Sequence, residues 1–206
     1  MLFAPSMASG LIGHLIGAIS GGSLYRRASF MLDSLGSTIL PDWISLTEHP
    51  HLLNSLGSAN FDGDGVATRD KSFVDNGVVA SYVLSCYSAR KLEMEPTGNA
   101  GGIFNLDVEG KQTPVDALMK QMGQGLLVTE LMGQGINTVT GDYSRGAAGY
   151  WVENGELAYP VAEVTIAGNL KDIYGRIVGL GDDVDYRGNI RAPSVLVDAM
   201  TVASSA

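Results

Sequence analysis

Tyr150-Trp151-Val152-Glu153-Asn154-Gly155-Glu156-Leu157-Ala158-Tyr159 sets the architectural class of this chain. Aromatic and branched residues, which suit a pleated and half-buried surface, flank Asn154-Gly155, a pair that accepts positive φ easily. The stretch reads as a β-hairpin, and Val161 to Ile166 extends its second arm. A further hairpin is expected at Asn76-Gly77, between Phe73-Val74 and Val78-Val79, with Tyr82-Val83-Leu84 continuing its second strand. Leu126-Leu127-Val128 begins another strand, and Ile177-Val178 and Val195-Leu196-Val197 read as closing strands. Links are short and helices few. The class expected is α+β, a mostly antiparallel sheet domain with a glycine-faced N-terminal helix and a few short helices.

That N-terminal helix is expected over residues 7–20. Ala8, Leu11, Ile12, Leu15, Ile16 and Ile19 fall on one side at the helical period, while Gly10, Gly13, His14 and Gly17 fall on the other. Each helical glycine costs about 1 kcal/mol against alanine, so something must compensate. Close packing of another backbone on the glycine face is the ordinary explanation, and a ligand or metal site facing His14 is the sharper one. Short helices are expected at Ser88–Leu92, at Thr113-Pro114-Val115-Asp116 with Thr113 as N-cap, and after Asn169 with Asp172.

Composition narrows the functional classes. The 206 residues carry 27 glycines, about twice an ordinary share, which suits bulges and close backbone approaches. A formal charge of −9 argues against a nucleic-acid groove. A single cysteine, Cys86, excludes an internal disulfide and fits a reducing, cytoplasmic compartment; its surroundings read as an apolar strand and an inert core thiol. No apolar run approaches the length of a membrane span. Met1-Leu2-Phe3-Ala4-Pro5 lacks a basic region, so it is no signal peptide, and it reads as the end of a strand in a longer chain.

The motifs are mostly bland. Met-Gly-Gln-Gly occurs at 122 and 132, but Val128 and Thr138 stand where a dinucleotide fingerprint needs glycine or alanine, so backbone packing is the better reading. Asp62-x-Asp64 and Asp182-Asp183-x-Asp185 lack the rest of a calcium loop and read as solvated turns. His49-Pro50-His51 could aim two imidazoles to one side, with no adjacent Cys or Asp to complete a metal site. Thr140 to Tyr150 is rich in glycine, so another backbone should approach it closely. An extended peptide adding there would meet Asp142, Ser144 and Arg145.

Several long stretches together resemble one family. Gly13-His14-Leu15-Ile16-Gly17-Ala18-Ile19-Ser20-Gly21-Gly22, Leu40-Pro41-Asp42-Trp43, His49-Pro50-His51-Leu52-Leu53 and Tyr87-Ser88-Ala89-Arg90-Lys91-Leu92 are similar to TldE/PmbA proteins of the TldD/PmbA family. So are Val128-Thr129-Glu130-Leu131-Met132-Gly133-Gln134-Gly135, Thr140-Gly141-Asp142-Tyr143-Ser144-Arg145-Gly146 and Ala167-Gly168-Asn169-Leu170-Lys171-Asp172. The resemblance implies that residues 1–206 are a single C-terminal domain and that an N-terminal region of similar length belongs to the whole protein. It also implies a cytosolic peptidase acting on unfolded or flexible peptides; the family's label, modulator of DNA gyrase, reflects that peptide handling.

The related TldD subunits hold zinc on a His-Glu-x-x-x-His helix with a cysteine from the C-terminal region. Laid on that pattern this chain reads Ser9-Gly10-Leu11-Ile12-Gly13-His14, so only His14 matches, and Ala192 falls about where the cysteine would be. The resemblance therefore implies no metal held by this chain, a silent subunit, and a TldD-like catalytic partner that carries the zinc in a homo- or hetero-oligomer. Two other readings stay open: an active metallopeptidase using His14, His49 and His51, and an independent peptide-binding module.

Overall fold

The computed structural model describes residues 1–204. The first elements are β1 (Leu2–Phe3), α1 (Pro5–Ala18), α2 (Gly21–Tyr25), β2 (Ser45–Glu48), β3 (Lys71–Asp75), β4 (Val78–Val79) and α3 (Cys86–Lys91). Then come β5 (Leu106–Glu109), β6 (Gln112–Thr113), α4 (Val115–Met122), β7 (Gly125–Met132), β8 (Asp142–Glu153) and β9 (Glu156–Asn169). The chain closes with α5 (Leu170–Gly175), β10 (Ile177–Gly181), β11 (Ile190–Arg191), β12 (Val195–Val197) and β13 (Thr201–Ser204). The class is α+β as expected, with mostly antiparallel pairing. Among the described residues no helix is long and apolar enough to cross a membrane.

Two compact units divide the chain, one formed by 1–11, 110–185 and 192–206 and the other by 12–109 and 186–191. The first is built on an eight-stranded sheet in the order β13-β9-β8-β7-β1-β12-β10-β6. Its longest strands form the β8–β9 hairpin, whose turn residues Asn154 and Gly155 have φ of +54° and +78°. These are the conformations that asparagine and glycine tolerate and that match the twist of the flanking strands. Leu2, Leu118 and Leu196 are buried together under α4, with Val115, Met119, Met122 and Leu127 packed around them.

The other unit carries a five-stranded sheet in the order β11-β5-β2-β3-β4. Asn76 and Gly77, both at positive φ, turn β3 into β4 as the sequence predicts. Alternation then puts Leu46, Leu106 and Val108 into the core, where Phe73 joins them.

Three local expectations need correction. Tyr82-Val83-Leu84 is not a strand continuing β4; Val83 makes one isolated bridge to Ser20, and Ser85 then caps α3. Thr113 does not cap α4, because it is paired in β6 and Pro114 takes the N-cap position. Cys86 is the first residue of α3, half-buried, with its N–H donated to Asp64 Oδ2 at 2.8 Å, so it is neither in a strand nor in the core.

The glycines divide into two kinds. At Gly149 a Cβ would lie 1.9 Å from the Leu127 carbonyl oxygen, where the β7–β8 register slips, so only glycine lets the two backbones meet. Gly10, inside α1, has nothing within 4 Å of a Cβ position. Gly149→Ala is therefore expected to destabilise the chain by about 3 kcal/mol through overpacking. Gly10→Ala is expected to stabilise it by about 1 kcal/mol through helix propensity. Urea denaturation of the two variants checks the opposite signs.

Candidate functional site

Helix α1 is amphipathic as read from the sequence: Ala8, Leu11, Ile12, Leu15, Ile16 and Ile19 are all buried. Its other face is not filled in the way expected. No backbone packs on the glycines; Gly10 and Gly17 look into open space, and Gly13 meets only the Ile190 side chain, 3.5 Å from a Cβ position. His14 is half-buried on that face. Ser9 turns its hydroxyl back to the Ser6 carbonyl at 2.9 Å, Gly10 has no side chain to offer, and Ala192 is a fully buried methyl group. One imidazole and one committed hydroxyl do not fit a catalytic zinc, which takes three protein ligands and keeps a fourth position for water.

Asp142, Ser144 and Arg145 lie at the start of β8, and backbone does approach that strand closely, but it is the chain's own. β8 pairs with β9 along one edge and with β7 along the other. Beyond β7 the chain folds over the free end, where Ser144 donates its N–H to the Gly135 carbonyl at 2.7 Å and Asn137 donates to Asp142 at 2.8 Å. Both edges of β8 are thus occupied by the chain's own strands and by the 135–137 segment. Gly135 explains the second Met-Gly-Gln-Gly copy, because a Cβ there would sit 1.8 Å from the Ser144 carbonyl oxygen. The Asp142 carboxylate accepts from Thr140 Oγ1 at 2.6 Å and Asn169 Nδ2 at 3.2 Å, and these bonds hold its pKa below the usual value. Asp142 and Ser144 are exposed and Arg145 is half-buried.

The histidines separate. His51 Nε2 lies 3.0 Å from Thr68 Oγ1, whereas His49 sits among acids that no local sequence pattern indicated. Strand alternation and register account for this. Ser45 and Thr47 of β2 are opposite Glu109 and Asp107 of β5, and Asp107 is opposite Arg191 of β11, so these side chains share one face of the five-stranded sheet. His49 continues β2 by one residue, its N–H donating to the Asn105 carbonyl at 3.1 Å and its carbonyl accepting from Asn105 Nδ2 at 3.0 Å. Its Nδ1 is 3.4 Å from Asp70 Oδ2, and its Nε2 is 3.6 Å from Glu109 Oε1 and 3.9 Å from Asp107 Oδ2. Thr47 donates to the other Glu109 oxygen at 2.8 Å, and Arg191 pairs with Asp107. Burial pushes the Asp107 carboxyl above its ordinary value, against the pull of Arg191 and His49.

The family model for the PmbA/TldA metallopeptidase C-terminal domain matches residues 1–204, and the chain belongs to the PmbA/TldD family. It is 54% identical to the metalloprotease PmbA of Escherichia coli O157:H7 over 98% of this chain and 45% of that protein. The chain thus spans about half the length of the curated relatives it matches. Its fold is similar to the crystal structure of a protein named a modulator of DNA gyrase from Bacteroides thetaiotaomicron, with TM-score 0.94 and 33% identity over 100% of this chain and 46% of that one. TldE from Thermococcus kodakarensis has the same fold, with TM-score 0.86 and 24% identity over 98% of this chain and 49% of that one.

The first acidic pair turns out to be internal bracing, not a solvated turn. Asp62 is buried; its Oδ1 accepts from Asp64 and Val66 N–H, both at 2.9 Å, and its Oδ2 from Ala100 N–H at 2.8 Å. Burial disfavours the charge, but the bonds from Ala100, Val66 and Asp64, with Lys71 nearby, outweigh it and hold the pKa below 3.8. A depressed folded pKa stabilises above the unfolded value and loses that contribution as pH falls through the folded one. Asp62→Ala is expected to cost about 3 kcal/mol at neutral pH, from donors left unsatisfied. The gap from the unsubstituted chain should narrow below about pH 4, which urea titrations across pH will measure.

Proposed function

We propose that this chain is the C-terminal domain of a TldE/PmbA-type subunit that serves as the non-catalytic partner of a TldD-like zinc peptidase. The observation that carries the reading is the donor set of α1: His14 stands with a glycine and a serine whose hydroxyl is already committed to the backbone. A hydrolytic zinc site also needs a base near its water, and neither Ser9 nor Gly10 is one. Residues 1–206 work here as one functional domain built from both compact units. The substrates are unfolded or flexible peptides, the catalytic zinc belongs to the partner chain, and the assembly is cytoplasmic. Peptide contacts on β8 run through the side chains of Asp142, Ser144 and Arg145, not through its backbone.

Mixing experiments test this. The chain alone is expected to leave an unstructured peptide intact, and a TldD-like subunit is expected to co-purify with it and to hydrolyse the peptide in the mixture. His14→Ala in this chain should leave that rate unchanged. Hydrolysis by this chain alone, abolished by His14→Ala, would overturn the proposal in favour of an active metallopeptidase. Failure of any TldD-like subunit to bind would instead favour an independent peptide-binding module.

A further inference from the structure

We infer that His49, Asp107 and Glu109 form a divalent-cation site on the polar face of the five-stranded sheet, separate from α1. Among the described residues these three bring one imidazole nitrogen and two carboxylate oxygens within 4.8 Å of one another. Two of the three ligand spacings are compatible with a shared ion. His49 Nε2 is 3.6 Å and 3.9 Å from its two carboxylate neighbours, beyond the reach of an N–H···O hydrogen bond. Ligands about 2.1 Å from a tetrahedral ion stand about 3.4 Å apart, close to these distances.

The surroundings are arranged as around a metal-bound histidine. Asp70 faces Nδ1 at 3.4 Å, the side from which a second carboxylate orients a ligating imidazole. Three carboxylates, Asp70, Asp107 and Glu109, flank His49, and Arg191 pairs with Asp107 alone, an acidic surplus that suits a divalent ion. His49 and Asp107 are about a quarter exposed and Glu109 about half, which leaves coordination positions open to water. Both sides of the site are held independently of the ion: Asn105 clamps the His49 backbone, and Thr47 orients Glu109. One imidazole with two carboxylates suits zinc or manganese, and zinc is the probe chosen.

The test is a calorimetric titration of the chelator-stripped chain with zinc chloride, with metal counted by mass spectrometry after desalting. One zinc per chain is expected, with a raised thermal midpoint in its presence. His49→Ala and Glu109→Gln should each weaken binding at least tenfold, and Asp70→Asn about ten- to a hundredfold, as for residues that orient a ligand. Glu109→Gln is isosteric and partly exposed, so it guards against loss of folding in the histidine variant. His14→Ala and His51→Ala should bind zinc as the unsubstituted chain does. Absence of saturable uptake would overturn the site. Uptake that survives both His49→Ala and Glu109→Gln, or that disappears with His14→Ala, would overturn it equally. None of these readouts involves peptide cleavage, so the result stands apart from the partner role proposed above.

Discussion

The carboxylate of Glu48 has no exposure to solvent, and the sheet around it is organised to satisfy that one group. Lys71 supplies the countercharge from β3. Asn99 donates from Nδ2 at 2.9 and 3.1 Å, and the Phe104 N–H donates at 2.7 Å. A buried carboxylate is tolerated only with such partners, and removing one leaves the others unsatisfied in a poorly solvating interior. The partners are themselves tied down. Thr97 Oγ1 donates to Asn99 Oδ1 at 2.9 Å, and Thr97 also accepts the Leu84 N–H at 2.8 Å. Through these bonds a glutamate at the end of β2 fixes the 97–104 loop and the segment entering α3.

Anchoring Glu48 inward has a consequence one residue later. Successive side chains along a strand point to opposite faces, so with Glu48 held in the core His49 must lie on the outer face. The same alternation sends Thr47 and Ser45 outward and, through the β2–β5 register, Asp107 and Glu109 with them. Core and polar face are thus two expressions of one register. A slip of one residue would carry the Glu48 carboxylate into water and His49 into the apolar core, so the cost of the alternative register protects the site.

Legibility followed the range of the interaction. Asn154-Gly155, Asn76-Gly77 and the Asn169 cap, which accepts the Lys171 N–H at 3.1 Å, are decided by residues adjacent in sequence, and each stands where the sequence placed it. The buried face of α1 was legible because helical periodicity is local. What was not legible depends on which strand lies next to which. His49 and its acids are brought together by pairing across β2 and β5, far apart in the chain, and the parallel pairings β1–β7, β6–β10 and β5–β11 have no turn to announce them. Tyr82-Val83-Leu84 has strand-like composition, yet the edge it would have used is left at β4 and the Leu84 backbone bonds to Thr97 instead. Glycine density along β8 reported a close backbone correctly but could not say whose backbone it was.

The glycines of α1 pose the opposite problem to Gly149. Where a Cβ would strike a carbonyl, glycine is obligatory; at Gly10 and Gly17 a Cβ would touch nothing, both residues sit in a regular helix, and neither has positive φ. Folding of this chain gives no reason for either, while each lowers helix stability by about 1 kcal/mol relative to alanine. The apolar stripe opposite is what compensates, because six buried side chains hold the helix regardless of its propensity. A costly feature that folding does not require is best sought in what the helix face must leave vacant. On the proposed reading that vacancy is the shape of a zinc-bearing helix kept without its ligands, and an alanine there would fill space without disturbing the fold. The donors that remain in this chain are gathered elsewhere, on a sheet face whose register Glu48 enforces. On the two proposals, cation binding at that face and the shape of α1 are therefore physically separable properties of the same sequence.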